Sequence, residues 1–303
     1  MSCGILRYPA ALLFVALLVA SCGGEGQQGT RTPPRQPDSA GTTSPGGVAG
    51  TDGLAEDAGG ESSWSREGGE SGGSEGAANE IREVEFDYLG GYERARIAFG
   101  EGEASGGIPR WSVEKAPEGG LVRLYLPGVT STQTAGEDLA GLAADAYYVV
   151  RRPNGDGLFV DFLALTAFEY RVTELAEAGQ LAVDFRPAPG GLTCPAVQGE
   201  DVVVVQPCEA EEAVAGEPLA VEGYSRDPGG SLSVVLHSEE GKPIASETVR
   251  TEYVDAWGYF ESSVTAPPSY EGLATVRVRD QEPDDGVSTG AEVPVFFGVG
   301  VED

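Results

Sequence analysis

The chain has 303 residues, including 45 glycines and 20 prolines, and its 49 acidic and 19 basic side chains leave a net charge of −30. Charge of that sign repels a phosphate backbone and excludes nucleic acid as the expected partner. The length suits about two domains, and one histidine and four cysteines leave few residues for nucleophilic or metal chemistry.

The first element is a leader. Arg7 is followed by "AALLFVALLVA", Ala10 to Ala20. That apolar run is too short for a membrane-spanning helix, which needs roughly 20 residues. Positive charge, a short apolar run and small residues together predict a signal peptide over residues 1–21. The run ends in Val19-Ala20-Ser21-Cys22, which resembles the bacterial lipobox. The resemblance implies that Cys22 is lipidated and becomes the mature N-terminus. The protein would then be exported and anchored to the outer face of the cytoplasmic membrane, since two acyl chains suffice for stable anchoring. The alternative is an ordinary signal peptide cut elsewhere, with Cys22 incidental.

Cys3 leaves with the leader and Cys22 takes the lipid. Cys194 and Cys208 remain, in an oxidising setting where a disulfide is the expected state. Closing a loop of about 15 residues would contribute roughly 3 kcal/mol in the chain-entropy model. Free thiols are the alternative; a metal site would need Asp and Glu to replace missing Cys and His ligands.

Residues 22–80 are rich in Gly, Ser, Glu, Pro and Thr, with Trp64 nearly the only large apolar side chain. Such a composition predicts a disordered tether, about 40 Å in root-mean-square span. Trp64 takes no assigned role in it.

At Ile81 the texture changes. "IREVEFDYL" and "YERARIAFG" alternate with strand period around Gly90-Gly91. "RWSVEK" and "LVRLYL" flank a Pro/Gly turn, and "AYYVVRR" and "LFVDFLAL" flank Asn154-Gly155-Asp156-Gly157. "FEYRVTELAEAGQLAVDF" reads as strands with one helical turn at Glu174–Ala178. Residues 81–187 are thus a mainly β block with its own core. "YERARIAF", "RWSVEK", "FEYRV" and "QLAVDF" resemble the AMIN-like domains of exported actinobacterial proteins. An Asp common in that family is missing where Tyr92-Glu93-Arg94 stands. The resemblance implies a β-rich envelope-targeting module, of a type in which some members bind peptidoglycan.

Residues 188–200 form a linker containing the first cysteine of the disulfide, and residues 201–303 restart the strand pattern. Six or seven short strands with Gly/Pro/Asp turns, the tightest at Glu240-Gly241-Lys242, predict a β-sandwich. Its candidate core is Val221, Leu232, Val234, Leu236, Val249, Phe260, Val264, Leu273, Val276, Val278 and Val293. "AGEPLAVEGYS", "SLSVVLHSEEGKPIASETV", "GYFESSV" and "VPVFFG" resemble the immunoglobulin-like domain of bacterial spore germination proteins. The expected fold is therefore mainly β: a disordered linker, an AMIN-like domain, then an immunoglobulin-like sandwich.

Catalytic patterns are sparse. His237 runs out of phase with Leu232, Val234 and Leu236, so it faces solvent or a sheet edge. Neither a Gly-x-Ser-x-Gly elbow nor a phosphate-binding glycine loop stands in a strand-turn-helix context. Asp156, Asp161, Glu169 and Asp184 are candidates for a glycosidase pair, with nothing to single out two. Asp280, Glu282, Asp284 and Asp285 form the one calcium-like cluster, which does not fit the twelve-residue calcium loop. Trp111, Trp257 and Tyr259 are the candidate ligand-stacking aromatics, and Gly258 is expected to help a loop expose Trp257. No cofactor is expected. The expectation is a non-catalytic surface lipoprotein that meets the membrane through its lipid and binds peptidoglycan or envelope proteins. A glycan hydrolase with unrecognised carboxylates and a calcium-dependent adhesion module are the alternatives.

Overall fold

The computed structural model describes residues 63–298, apart from 102–103, 106, 116–119, 154, 156, 193, 227–229, 252–253 and 281–289. The leader, Cys22, Asp156, Glu282, Asp284 and Asp285 lie outside the described residues. Among those described, every regular element is a strand. In chain order these are β1 (Ser71–Gly72), β2 (Glu80–Tyr88), β3 (Glu93–Glu101), β4 (Ala104–Ser105), β5 (Trp111–Lys115), β6 (Leu121–Pro127) and β7 (Ser131–Thr132). Next come β8 (Gly136–Asp138), β9 (Ala144–Arg151), β10 (Gly157–Ala164), β11 (Phe168–Leu175), β12 (Gln180–Pro187), β13 (Val197–Gln198) and β14 (Val202–Gln206). The last are β15 (Glu211–Val214), β16 (Pro218–Ser225), β17 (Ser231–Ser238), β18 (Pro243–Arg250), β19 (Trp257–Thr265), β20 (Gly272–Asp280) and β21 (Gly290–Gly298).

The expected hairpins β2–β3, β5–β6, β9–β10, β11–β12 and β17–β18 all pair antiparallel. The helical turn expected at Glu174–Ala178 is absent. Glu174 and Leu175 complete β11, and residues 176–179 turn directly into β12, with Gly179 at φ +63°. Alternation of Leu181, Val183 and Phe185 into the core pulls this stretch into the sheet.

Three sheets result. The first runs β11-β12-β3-β2-β7, and the last runs β15-β21-β20-β17-β18. Between them a ten-stranded sheet runs β1-β5-β6-β10-β9-β19-β16-β14-β13, with β8 beside β9. This shared sheet joins the two halves of the chain by a short parallel pairing, Trp257 opposite Val150 and Gly258 opposite Arg151. One face of its first half packs on the first sheet through Leu124, Leu158, Val160, Phe162 and their neighbours. One face of its second half packs on the last sheet through Val221, Phe260, Val276 and Val293. Of the candidate core of this second sandwich, Leu273 alone is a clear error, at 43% exposed. Ala274, Val276 and Val278 take the inward phase of β20, so Leu273 points out.

The remaining faces of the shared sheet pack on each other. Leu121, Tyr148, Val150 and Phe159 meet Val203, Val205, Tyr224 and Trp257 in a third apolar cluster. In a flat sheet β6 and β16, four strand intervals apart, would be separated by about 19 Å. Yet Arg123 of β6 donates to Glu222 of β16 at 2.9 Å. The sheet therefore folds back at the β9–β19 seam, and the described residues stack in four β layers. A free hinge between two separate modules is not what forms.

The disulfide joins Cys194 to Cys208. Its loop encloses β13 and β14, which belong to the shared sheet, so it clasps the seam rather than a linker.

Residues 63–79, expected as tether, are a strap laid across both sandwiched edges. Ser65 exchanges two backbone hydrogen bonds with Tyr170 of β11, and Glu70 and Gly69 bond Val113 of β5. Gly73 donates to Glu174 Oε1 at 2.7 Å. Backbone pairing onto two sheet edges holds much of this polar segment.

Candidate functional site

The three aromatics singled out for ligand stacking are all engaged in packing. Trp111 is buried, and its indole N–H donates to Glu174 Oε1 at 2.9 Å, the same oxygen that holds Gly73 of the strap. It backs a hollow of about 390 Å³ shared with Tyr125 and Arg110. Trp257 is 5% exposed and meets Tyr148 edge-on at 4.9 Å and Tyr224 at 6.0 Å. The expectation that Gly258 exposes Trp257 is thus overturned: the glycine sits in the β9–β19 pairing, and the indole is a wedge in the seam. Tyr259 is half-buried, with its ring edge-on to Phe159 at 6.0 Å.

Polar groups reinforce the seam. Asp161, fully buried on β10, lies opposite Arg123 and accepts from its Nε at 2.9 Å and its Nη2 at 2.8 Å. Burial pushes the Asp161 carboxyl up, against the pull of Arg123. Burial works against the Arg123 charge too, but Asp161 and Glu222 more than offset it and hold the guanidinium protonated. The same guanidinium stacks on Phe159 at 4.3 Å. Tyr224 is buried in the same seam, which drives its phenol well above the ordinary range. Tyr148 donates to Gln198 at 2.7 Å.

The other two described candidate carboxylates are also held by arginines. Asp184 accepts from Arg94 Nε at 2.6 Å and Arg171 Nε at 2.6 Å, along one cross-strand row of the first sheet. Glu169 is clamped by Arg66 of the strap at 2.9 Å and by Arg186. Hydrogen bonds from Arg186 and then Arg66 hold its carboxyl below the usual range. Asp161, Glu169 and Asp184 therefore build structure. His237 is half-buried on β17, opposite Thr275. Desolvation and Arg277 lower its pKa. Of the calcium-like cluster Asp280 alone is described, and it closes β20 opposite Leu232. Among the described residues no three His, Cys, Asp or Glu side chains gather as a metal site.

Another opening, larger than the hollow beside Trp111, carries no local signal in the sequence. A cleft of about 1070 Å³ lies between Glu83–Tyr88 of β2 and the stretch Glu137–Leu142, which begins in β8 and runs past its end. Its far wall is fixed by Glu93. That carboxylate, 2% exposed, accepts hydrogen bonds from the backbone N–H groups of Leu142, Ala143 (2.9 Å) and Ala144 (3.1 Å). Gly141 permits this approach: a Cβ there would stand 2.3 Å from the Ala144 carbonyl oxygen and 3.0 Å from both Glu93 carboxylate oxygens. Arg96 reaches from β3 to Glu85 at 2.9 Å and Asp87 at 2.6 Å. A glutamate followed at wide spacing by a Leu-Ala-Gly-Leu-Ala-Ala stretch carries no local motif, so this nest was not legible in advance.

Residues 201–287 match the family model described as the immunoglobulin-like domain of bacterial spore germination. The strands agree with it: β14, β16 and β19 form one layer, and β15, β21, β20, β17 and β18 form the other. No curated protein and no solved structure matches the chain.

Proposed function

We propose that the protein is a non-catalytic cell-surface lipoprotein that holds an AMIN-like block and an immunoglobulin-like block in the bacterial envelope, where they bind cell-wall polymer or envelope proteins. The observation that carries this reading is the match of residues 201–287 to the immunoglobulin-like domain of bacterial spore germination, a β module. The Val19-Ala20-Ser21-Cys22 leader supports export and anchoring. The arginine pairs that occupy Asp161, Glu169 and Asp184 weigh against those carboxylates as a hydrolytic pair.

Two measurements on the full chain test the reading. Metabolic labelling with a fatty-acid analogue is expected to mark the wild type and not Cys22→Ala; equal labelling of both removes the anchor. Co-sedimentation with purified cell wall is expected without release of soluble sugar. Sugar release abolished by a single carboxylate substitution would replace the reading with a glycan hydrolase.

A further inference from the structure

We propose that the cleft beside β2 receives an extended, lysine- or arginine-rich peptide segment of an envelope partner, added as a strand to the edge of the first sheet. This rests on the envelope-binding reading above and names the partner's chemistry. β2 is paired on one side with β3 along its length, but on the other side β7 pairs only Glu80 and Ile81. Among the described residues, no second strand accompanies Glu83–Tyr88. Six residues of strand edge, about 20 Å, is an ordinary strand length. An unpaired edge of that length offers backbone donors and acceptors to an incoming strand.

The side chains fit one kind of occupant. Val84 and Phe86 give the cleft an apolar floor, and Tyr88 and Leu142 stand 60% and 58% exposed at its mouth. Glu83, Glu85 and Asp87 alternate with those apolar positions, and Glu137 and Asp138 face them across the opening. Arg96 is the one guanidinium among these five carboxylates. A strand alternating basic and apolar residues meets both sets. A second copy of a chain carrying −30 would bring like charge to the same edge. The far wall, pinned by Glu93, is preformed, which lowers the ordering cost of binding.

The test measures binding of the full chain to a fluorescent peptide of alternating lysine and valine. Controls are the glutamate-for-lysine peptide and a lysine peptide N-methylated at alternate backbone nitrogens. Only the unmodified lysine peptide is expected to bind tightly. The double variant Glu85→Lys, Glu137→Lys is expected to weaken it at least tenfold, with the wild-type circular dichroism spectrum and urea midpoint retained. Equal binding of the N-methylated peptide would reduce the effect to general charge attraction and overturn strand addition. Equal binding of the glutamate peptide would overturn the charge argument. Dimers in light scattering that the double variant abolishes would assign the edge to a second copy instead. If no peptide binds while the protein still sediments with purified wall, this inference falls and the envelope-binding reading stands.

Discussion

The guanidinium carbon of Arg186 stands 4.3 Å from the ring centre of Trp64, and Arg171 stands 4.8 Å from the same ring. Tyr92 meets the indole edge-on at 5.8 Å. A tryptophan from a polar segment thus locks the strap to the outer face of the first sheet. Trp64→Ala is expected to cost about 1–2 kcal/mol, the range of a partly desolvated cation–π contact. It should also open residues 63–79 to limited proteolysis before the rest of the molecule unfolds. Wild-type resistance in the variant would remove the strap from the stability of the fold.

The strap should loosen in acid. The Glu169 carboxyl is held below its ordinary value by Arg186 and Arg66, so its folded pKa lies below its unfolded one. Such a group adds stability above the unfolded carboxylate pKa, about 4.3, and that stability is lost as pH falls through the lower folded value. Glu169→Gln should flatten this part of the acid limb of the stability profile. A profile identical to wild type between neutral pH and about pH 3 would show that the Glu169 clamp contributes nothing to acid stability.

Trp257→Ala should damage the fold rather than a ligand site. Removing a buried tryptophan costs about 3–5 kcal/mol. Because the ring lies between Tyr148 and Tyr224, its loss should also split a single urea transition into two, one for each half of the molecule. A single, unshifted transition would show that the seam does not couple the halves.

At Arg123 the cost comes from what is left behind. Arg123→Met strands a fully buried Asp161 without its partner, and such a change costs about 3–5 kcal/mol. Adding Asp161→Leu should recover most of that loss, since an apolar pair of similar size requires no desolvated charge. A double variant as unstable as the single one would mean that the charged pair itself, rather than its compensation, stabilises the seam.

Local pairing was legible in the sequence, and long-range stacking was readable only in part. Alternation around Gly90-Gly91 and around Gly241 marked hairpins that form as expected. "GLFVDFLA" and "VVVV" carried a further signal, because neither run alternates. Nearly every residue of β10 and the first four of β14 are buried. Continuous apolar runs of this kind belong to strands covered on both faces. They announced that something packs on the outer side of each half, without saying that the halves pack on each other. The strap was hidden for a different reason. Composition reports apolar burial, whereas Ser65, Glu70 and Gly73 are held by their backbone atoms, which every sequence possesses. The Glu93 nest is likewise a side chain meeting main-chain N–H groups about fifty residues along the chain.

The β9–β19 pairing sets an order of assembly. Val150 and Arg151 take their partners from Trp257 and Gly258, far along the chain. A first block that folds ahead of the second has its hairpins at hand but must keep the outer side of β9 and β10 uncovered until the second sandwich exists to cover it. Contacts so distant in sequence carry a high loop-closure cost and slow the final docking step. During that interval Tyr148, Phe159 and Val150 are bare, and the partly folded chain is most vulnerable to aggregation there.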